Sequence, residues 1–448
     1  MFDRIILGRL IDWRDSPYRK PLVLRGARQV GKTTLINSFS SHFAQYIYLN
    51  LENKADQIIF KDKNSIQEII DTLFFIKNKL QNKGGTLIFI DEIQEMPEAI
   101  ASLRYFYEAF PQYYIVAAGS LLETVFNPET NFPVGRVDYM MLYPLSFEEF
   151  LMAIDEKQAL EQYHKIPIDS YAYERLFSLF HTYTLIGGMP EAVKRYAEQR
   201  DLIALKPVYE SLLLSYLDDV EKYARNATQT QIMRHAIRAC FREAGARIRF
   251  HGFGSSVYGS REMGEALRTL EKAKLIYLVY PTIQTNLPYM PDFRKSPRLQ
   301  IIDTGLMNYY AGVQKELFLA KDLTKVYNGR IIEHIAGQEI IANNDDLLRS
   351  LLFWVREKEG STSELDYLFV DNGIAIPVEI KSGKTGRLRS LHQYIDQTNT
   401  RLAIRLYAGP FQMDALKTIK GTPFHLLNIP YFLAGKLQSY LHQYRHLK

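Results

Sequence analysis

The feature that most restricts the fold of this chain is the loop Gly26–Thr33, which has the sequence GARQVGKT and follows the apolar run Leu22–Leu24. Glycines let the backbone curl there until successive N–H groups point at one anionic centre. The helix expected from Thr34 onward adds the N–H groups of its first turn to the same centre. The pattern G-x-x-x-x-G-K-T therefore predicts a phosphate-binding loop between a buried strand and a helix.

The residues of this loop have separate expected roles. Lys32 would bind the β- and γ-phosphates of ATP, and Thr33 would bind the accompanying Mg²⁺ ion. Lys32 is counted among the catalytic residues as well as the binding residues. The residues expected to hold the nucleotide are Gly26, Ala27, Arg28, Gln29, Val30, Gly31, Lys32, Thr33 and Thr34.

A second motif lies further along the chain, where the apolar run Leu87–Ile90 is followed by Asp91 and Glu92. Four consecutive apolar residues are typical of a strand that is buried on both faces of a parallel sheet. Carboxylates at the end of such a strand lie where open α/β sheets bind their ligands. We expect Asp91 to hold Mg²⁺ and Glu92 to polarise the attacking water. The alternative is that the two carboxylates only cap a helix after a core strand.

Composition excludes several classes of protein. The chain has 448 residues, too many for one hydrophobic core, and its apolar fraction of 47% is that of a globular protein. Its single cysteine, Cys240, excludes an intrachain disulfide and any zinc site built from several cysteines. The sequence contains no signal-like segment and no uncharged apolar run of the ~20 residues that cross a bilayer. These observations predict a cytoplasmic protein without membrane contact.

The distribution of apolar residues divides the chain into four expected domains. Alternating strands and helices over residues 1–145 predict an α/β domain with a doubly wound parallel sheet. A helical pattern over residues 146–225, broken at 187–190, predicts a lid that could close over a ligand. Residues 226–310 have the pattern of a winged helix, and residues 311–448 form a further α/β domain.

Two further residues of the first domain are candidates for catalysis. Ser120 follows the strand Tyr113–Ala118 and Gly119 as Asp91 follows its own strand, so its side chain could converge on the γ-phosphate. The alternative is that Ser120 only caps the following helix. Arg136, in a polar loop, could stabilise charge on the transferred phosphoryl group, or it could simply form a surface ion pair with a neighbouring carboxylate.

Positive charge is concentrated in two segments. Residues 371–448 carry 11 Lys and Arg against 4 Asp and Glu, and residues 225–274 carry 10 against 4. Basic segments on an otherwise acidic chain favour a polyanionic partner such as DNA, although ordinary solvated helix faces give the same counts. In the winged-helix region the strands at 275–280 and 298–302 would form the wing. The expected phosphate contacts there are Arg247, Arg249, Arg261, Arg268 and Lys274.

The segment 364–381 predicts a β-hairpin whose two-residue turn is Asn372-Gly373. In that register Asp366 lies opposite Glu379, and Lys381 joins the same face. Two opposed carboxylates repel each other, and a second divalent metal ion would compensate. We therefore expect a metal site of Glu339, Asp366 and Glu379, with Lys381 as its catalytic lysine. The alternative is an exposed face on which Lys381 bridges the two acids. The spacing D-x₁₂-E-x-K is that of restriction-endonuclease-like folds.

The order of these motifs resembles bacterial and archaeal AAA-type ATPases that join a P-loop domain to a C-terminal winged-helix and restriction-endonuclease-like domain of unknown function. The resemblance spans nearly the whole chain and is most specific in the P-loop domain. It implies ATP and Mg²⁺ binding through Gly31, Lys32, Thr33 and Asp91, with Glu92 as the catalytic carboxylate. It rests on the motifs RGARQVGKTT at 25–34, FIDEIQ at 89–94, GS at 119–120, GR at 135–136, PLSFEEF at 144–150, GGMP at 187–190 and PVEIKSG at 377–383.

Together these features predict an ATP hydrolase whose nucleotide state controls a DNA-engaging, nuclease-like C-terminal module. The alternative is a signalling scaffold in which ATP drives assembly into a homo-oligomer. In that case Glu339, Asp366, Glu379 and Lys381 would form a structural ion cluster on a protein-docking domain that does not cleave DNA.

Overall fold

The computed structural model describes residues 2–63, 65–81, 83–119, 135–224, 226–312, 329–344, 351–358, 361–381, 388–444 and 446. The chain divides into two compact units. The first unit contains Met1–Tyr143 and the short segment Lys272–Leu275, and the second contains Pro144–Glu271 and Ile276–Lys448.

The first unit is built around a five-stranded sheet in which all the strands are parallel, in the order β2-β3-β4-β1-β5. The strands are β1 (Leu22–Arg25), β2 (Gln45–Asn50), β3 (Thr86–Asp91), β4 (Tyr114–Gly119) and β5 (Asp138–Met141). The helices are α1 (Ile6–Asp15), α2 (Lys32–Phe39), α3 (Lys54–Gln57), α4 (Ile66–Ile76) and α5 (Pro97–Ala109). The predicted parallel α/β sheet is confirmed.

Strand β3 owes its central position to its apolar sequence. Every residue from Thr86 to Asp91 is buried, as expected of a strand with neighbours on both sides and helices on both faces. Ile88 and Ile90 pack into a core that also contains residues of α4 and α5. Because the strands are parallel, the loop after β1 and the carboxylates at the end of β3 emerge at the same edge of the sheet.

The second unit begins with helices and ends with mixed sheets. Its helices are α6 (Phe147–Ala153), α7 (Lys157–Tyr163), α8 (Tyr173–Ile186), α9 (Pro190–Gln199), α10 (Lys206–Tyr223), α11 (Ala227–Glu243), α12 (Ser260–Lys272), α13 (Thr304–Ala311), α14 (Arg330–Ala342), α15 (Arg389–Ile395) and α16 (Leu437–Gln443). Its strands are β6 (Ile276–Val279), β7 (Pro281–Thr282), β8 (Arg298–Ile301), β9 (Phe353–Lys358), β10 (Ser361–Glu364), β11 (Tyr367–Asp371), β12 (Ile374–Lys381), β13 (Leu402–Tyr407), β14 (Gln412–Lys417) and β15 (Pro423–Pro430).

Strands of the second unit form three sheets. A five-stranded mixed sheet has the order β11-β12-β13-β15-β14, in which β12, β13 and β15 run parallel and the outer pairs are antiparallel. A smaller sheet has the order β10-β9-β7. Strand β6 pairs antiparallel with β8 after the helices α11 and α12, which is the order of elements expected for the region 226–310.

The motifs at 144–150 and 187–190 meet in the second unit. Ser146 caps α6 in a capping box with Glu149, so this motif starts a helix. Gly188 lies so close to Leu145 that a Cβ atom would overlap the Leu145 carbonyl oxygen. The Gly188 N–H donates to Asp303 Oδ2 at 2.5 Å, and its carbonyl accepts from the Leu145 N–H at 2.7 Å. The glycine is therefore required by close backbone approach, and the two motifs support each other's position.

The C-terminal hairpin has the expected register. Strands β11 and β12 pair Val370 with Ala375 and Leu368 with Pro377. Asn372 and Gly373 both have positive φ, at 48° and 79°, as a type I′ turn requires. The prediction of the hairpin from its Asn-Gly turn is confirmed.

The length and apolar character of the described helices decide whether any of them could span a bilayer. The longest described helix, α10, has 18 residues, and six of them are charged residues. Across the described ranges of the chain, no helix is both long enough and apolar enough to cross a bilayer.

Candidate functional site

The loop between β1 and α2 has the backbone that its glycines allow. Gly31, which precedes α2, has φ +94°, a conformation that other residues adopt only at a cost. A Cβ atom on Gly26 would overlap the carbonyl oxygen of Leu142. Between them Ala27 and Val30 are buried and hold the loop against the first unit. The loop thus brings the N-terminus of α2 to the end of β1, as the sequence predicts.

Lys32 is buried, and neutral oxygens hold its ammonium group. Its Nζ donates to the carbonyl oxygens of Gly26 at 3.0 Å and of Ala27 at 2.9 Å. Burial lowers the pKa of Lys32, while the charges of Glu92 and Asp91 act in the opposite direction. In the described part of the chain no carboxylate forms an ion pair with it. The positive charge is therefore available to an anionic ligand.

Asp91 is held by the hydroxyl of the residue after Lys32. Thr33 Oγ1 donates to Asp91 Oδ2 at 2.6 Å, and the backbone N–H of Glu92 donates to Asp91 Oδ1 at 3.1 Å. Burial raises the pKa of Asp91, and the bond from Thr33 lowers it. A hydroxyl oxygen and a carboxylate oxygen that lie in direct contact are the kind of oxygen ligands that Mg²⁺ binds, together with phosphate. The side chains of Lys32, Thr33 and Asp91 therefore have the chemistry that Mg-ATP requires.

Glu92 follows Asp91 in an unusual backbone conformation. Its φ of 51° and ψ of 44° lie in the left-handed region, and it precedes the short 3₁₀ turn Ile93–Glu95. Its side chain is half-buried, and Oε2 accepts a hydrogen bond from Gln94 Nε2 at 2.6 Å. The carboxylate thus stands beside Asp91 at the edge of the sheet where the phosphate loop emerges.

The two further candidates of the first domain have different outcomes. Ser120 lies outside the described residues. Arg136 lies just before β5, which pairs parallel with β1 from Leu22 onward, so it is at the edge of the sheet opposite the phosphate loop. Its Nε donates to Glu108 Oε1 at 2.6 Å, and both side chains are exposed. The alternative of a surface ion pair is therefore what the structure shows, and a role at the nucleotide site of its own chain has no geometric support.

The C-terminal carboxylates do lie together, but basic groups already neutralise them. Lys381 Nζ lies 2.6 Å from Glu379 Oε1, and Asp366 Oδ2 accepts from the backbone N–H of Ile380 at 2.7 Å. Burial and the nearby charge of Asp366 raise the pKa of Glu379 to about 8. Among the described residues Glu379 Oε2 has no hydrogen-bond partner. The lysine that was expected to act on a metal-bound water instead pairs with an acid.

Sequence reasoning missed the arginine of this cluster. Arg298, the first residue of β8, is buried against the rings of Phe353 and Tyr367. Its Nη1 donates to the Asp366 carbonyl oxygen at 2.7 Å, and its Nη2 lies 3.6 Å from Asp366 Oδ1 and donates to Glu364. Since Arg298 is far from the hairpin in sequence, no local pattern could have indicated the contact.

The prediction that Glu339 lies with Asp366, Glu379 and Lys381 is wrong. Glu339 is buried elsewhere, where its carboxylate accepts from the Phe147 N–H at 3.1 Å and from Tyr183 Oη at 2.7 Å. Six residues earlier on the same helix, Glu333 has its pKa raised to about 7 by burial and by the charge of Asp366. Six residues turn an α-helix to a different face, so Glu333 and not Glu339 belongs with the cluster.

The predicted second metal site is not supported. Within the described ranges, no group of three or more His, Cys, Asp or Glu side chains could hold a metal ion. The physical reason is that Lys381 and Arg298 supply the positive charge that the opposed carboxylates require.

We refer to Glu333, Glu364, Asp366, Glu379, Lys381, Arg298 and Arg247 as the ion cluster.

The basic residues proposed as phosphate contacts fall into three groups. Arg247 belongs to the ion cluster, because its Nη1 donates to Glu364 Oε2 at 3.1 Å and its guanidinium lies over the ring of Phe353. Lys274 is partly buried. The other three, Arg249, Arg261 and Arg268, are exposed and lie before or on α12.

Three family descriptions match successive parts of the chain. Residues 18–151 match an AAA domain, residues 178–317 match a domain of unknown function (DUF8612), and residues 328–427 match another (DUF4143). An uncharacterized protein of Haemophilus influenzae is 24% identical over 323 residues, which cover 68% of this chain and 72% of that protein. An uncharacterized protein of Mycobacterium tuberculosis is 24% identical over 426 residues, covering 92% of this chain and 81% of the relative.

Two solved structures show more distant likeness. The Walker-type ATPase PABY2304 of Pyrococcus abyssi has 17% identity and a TM-score of 0.46, covering 69% of this chain and 96% of that one. The Aeropyrum pernix ORC1 protein in complex with DNA has 14% identity and a TM-score of 0.29, covering 70% and 93%. Both TM-scores are below 0.5, so neither structure establishes the fold of this chain. The AAA-domain match and the parallel sheet agree, and residues 18–151 have the sequence pattern and the fold of an AAA-type P-loop ATPase domain.

Proposed function

We propose that the first unit binds Mg-ATP and hydrolyses it to ADP and phosphate. The observation that carries the proposal is the separation of charge between Lys32 and Asp91. The ammonium of Lys32 is held by carbonyl oxygens, and Asp91 is held by the Thr33 hydroxyl. Each charge therefore keeps capacity for a ligand of opposite sign. An anion beside Lys32 with a cation beside Asp91 is the arrangement of a nucleotide with its metal ion.

The residues of the chain divide the work of the reaction. Backbone N–H groups from Gly26 to Thr33 and the ammonium of Lys32 hold the phosphates in line for attack. The Mg²⁺ ion, when bound through Thr33 and Asp91, neutralises charge on the phosphate oxygens. Glu92 accepts a proton from the attacking water as the water oxygen bonds to the γ-phosphorus. The bond from the γ-phosphorus to the bridging oxygen breaks, and ADP leaves with its electron pair.

Steady-state ATP hydrolysis with Mg²⁺ tests this proposal, with the Lys32→Ala variant as the blank. We expect hydrolysis in the wild-type chain and none above background in the variant. Binding of a fluorescent ATP analogue to the Glu92→Gln variant separates binding from chemistry. That variant should bind the analogue as the wild type does and should hydrolyse ATP at least about 100-fold more slowly. Equal hydrolysis by wild type and Lys32→Ala would show that the first unit is not the source of the activity.

We further propose that the nucleotide state controls engagement of DNA by the second unit. The support is the exposed set of Arg249, Arg261 and Arg268 around α12, which follows α11 and precedes the β6–β8 pair. A helix with exposed arginines after a first helix suits the contact of phosphates and groove edges. Cleavage of DNA is not part of this proposal, because Lys381 and Glu379 are bonded to each other.

A gel-shift assay at low salt, with and without ATP, tests DNA engagement. Binding should weaken in the Arg261→Ala and Arg268→Ala variants and as salt rises. Arg294→Ala is a suitable control, because Arg294 is exposed but pairs with Asp292 at 2.9 Å. No shift under any of these conditions would exclude the DNA part of the proposal.

The ion cluster favours a second candidate function for the C-terminal domain, that of a protein-docking scaffold. Its carboxylates are neutralised within the chain by Arg298 and Lys381, as in a structural cluster. Light scattering with ATP separates the two candidates. If ATP-dependent assembly occurs without any effect of DNA, the scaffold is favoured; DNA-stimulated hydrolysis favours the DNA-engaging function.

A further inference from the structure

The turn after β3 holds Glu92 in a fixed backbone conformation. Ile93 is fully buried, and the 3₁₀ turn that it begins is closed by the Glu95 N–H, which donates to the Glu92 carbonyl oxygen at 3.0 Å. Glutamate rarely has positive φ, because its Cβ then crowds the backbone, yet Glu92 has φ 51° here. Burial of Ile93 and closure of the turn impose that conformation. The backbone thus fixes the direction in which the Glu92 side chain leaves the main chain, but not the position of its carboxylate.

Gln94 fixes the end of the side chain. Its Nε2 donates to Glu92 Oε2 at 2.6 Å, a short bond of the kind made to charged acceptors. An ionised carboxylate only accepts hydrogen bonds, so the NH₂ side of the amide must face Glu92. The contact joins two residues of one turn and therefore does not connect distant elements of the fold.

The other end of the amide distinguishes Gln94 from a structural glutamine. Gln94 Oε1 is buried and has no hydrogen-bond partner in the described part of the chain. Buried polar side-chain atoms in folded proteins normally have at least one hydrogen-bond partner. By contrast, Gln45, also in the first unit, donates to the Leu80 carbonyl oxygen and accepts from the Leu80 N–H. Among the described residues, the Gln94 amide makes one hydrogen bond, to Glu92.

We propose that Gln94 is a positioning residue for ATP hydrolysis, acting through Glu92; this rests on the proposed function. By holding Oε2, Gln94 leaves Oε1 of Glu92 as the oxygen that takes the proton of the attacking water. Without Gln94 the carboxylate rotates among several side-chain conformations, and only a fraction of them directs an oxygen at the water. Nucleotide binding does not require the contact, so the effect falls on turnover rather than on affinity.

Steady-state kinetics of Gln94→Met is the first test, because methionine keeps the length of the side chain and lacks the N–H donor. We expect kcat to fall about 10-fold to 100-fold, while the KM for ATP and the Kd for a fluorescent ATP analogue stay within about twofold. Gln94→Glu, which opposes Glu92 with a second carboxylate, should lower kcat at least as far. Glu95→Gln, at the exposed neighbouring position, is the matched control and should leave kcat unchanged.

A double-variant cycle with Glu92→Gln decides whether Gln94 acts through Glu92. In the Glu92→Gln chain, Gln94→Met should change the residual single-turnover rate by less than about twofold, because the residue that it positions is gone. An equal fall in both backgrounds would overturn the proposal, as would an unchanged kcat in Gln94→Met. If the wild type hydrolyses no ATP, the proposed function fails and this inference fails with it. Unfolding followed by Trp13 fluorescence in a Trp354→Phe background identifies any variant that is merely misfolded.

Discussion

The two units each place a lysine near buried carboxylates, and they arrange the charges in opposite ways. In the first unit Lys32 bonds to carbonyl oxygens and Asp91 bonds to a hydroxyl. In the second unit Lys381 lies 2.6 Å from Glu379 and Arg298 lies 3.6 Å from Asp366. Charges that are kept apart retain their capacity for a ligand, whereas charges that are paired neutralise each other. We therefore expect ligand chemistry at Lys32 and Asp91 in the first unit, and structural stabilisation from the ion cluster of the second.

The largest expected contrast is between two lysine substitutions. Lys32→Ala should lower the rate of ATP hydrolysis by at least about 100-fold, because it removes the buried cation that faces the phosphates. Lys381→Ala should change that rate by less than about twofold, because Lys381 pairs with Glu379. Phosphate release under saturating ATP measures both. A loss of hydrolysis in Lys381→Ala at unchanged stability would contradict the assignment of the ion cluster to structure.

The second contrast concerns stability and uses two arginines of the same unit. Arg298→Met leaves Asp366 and Glu364 without their buried cation, so the free energy of unfolding of the second unit should fall by about 3–5 kcal/mol. Arg294, whose side chain is 86% exposed, pairs with Asp292 at 2.9 Å. Arg294→Met is therefore the control and should cost less than about 1 kcal/mol.

The two tryptophans of the chain make this measurement specific. Trp13 lies in the first unit. Trp354 is buried in the second unit, where its ring centroid lies 5.3 Å from that of Tyr394. In a Trp13→Phe background, urea unfolding followed by fluorescence reports the second unit alone. If Arg298→Met and Arg294→Met shift the Trp354 transition equally, the ion cluster does not stabilise the unit.

Much of the first site could be predicted because its residues are local in sequence. The phosphate loop is one continuous segment, and Asp91 follows from the rule that parallel strands present their ends at one edge. The hairpin register was equally accessible, because the Asn372-Gly373 turn fixes which residues face each other.

The ion cluster could not be predicted in the same way. Arg298 reaches Asp366 across 68 positions of sequence, and no periodic pattern encodes such a contact. Glu333 and Glu339 are both acidic residues of α14, and only the packing of that helix decides which faces the hairpin. Counting basic residues also misassigned Arg247 to a phosphate-binding surface, although it pairs with Glu364.

The third contrast is in the pH dependence of stability. Burial raises the pKa of Glu379 to about 8 and that of Glu333 to about 7, whereas glutamates of an unfolded chain titrate near about 4.3. From about pH 5 to 8 the folded unit therefore binds more protons than the unfolded chain. Its free energy of unfolding should fall as pH rises through this range.

Glu379→Gln tests this dependence, because it removes one of the buried carboxyl groups of the second unit whose pKa is raised. The free energy of unfolding of the second unit, followed by Trp354 fluorescence, should then fall less steeply from about pH 5 to 8 than it does without the substitution. Glu108→Gln, in the first unit, controls for the substitution itself and should leave the slope of the second unit unchanged. If the free energy of unfolding rises with pH, or if Glu379→Gln does not reduce its pH dependence, these carboxyl groups do not control the stability of the second unit.

The smallest expected effect is that of Arg136→Ala, and it concerns a third kind of charge pair. Arg136 and Glu108 lie 2.6 Å apart, but their side chains are 39% and 38% exposed, so water screens the pair. The free energy of unfolding of the first unit, followed by Trp13 fluorescence in a Trp354→Phe background, should change by less than about 1 kcal/mol. Hydrolysis by the dilute chain should also be unchanged, because Arg136 lies at the edge of the sheet opposite the phosphate loop.

Repeating the Arg136→Ala assay over a range of protein concentrations sharpens the result. An arginine at that edge can reach a phosphoryl group only in a neighbouring copy of the chain, and such a contact depends on concentration. A loss of hydrolysis that grows with protein concentration would therefore assign Arg136 to the nucleotide site of a second copy. A loss that is the same at every concentration, in a chain that light scattering shows to be monomeric over that range, would contradict the placement of Arg136 away from its own phosphate loop.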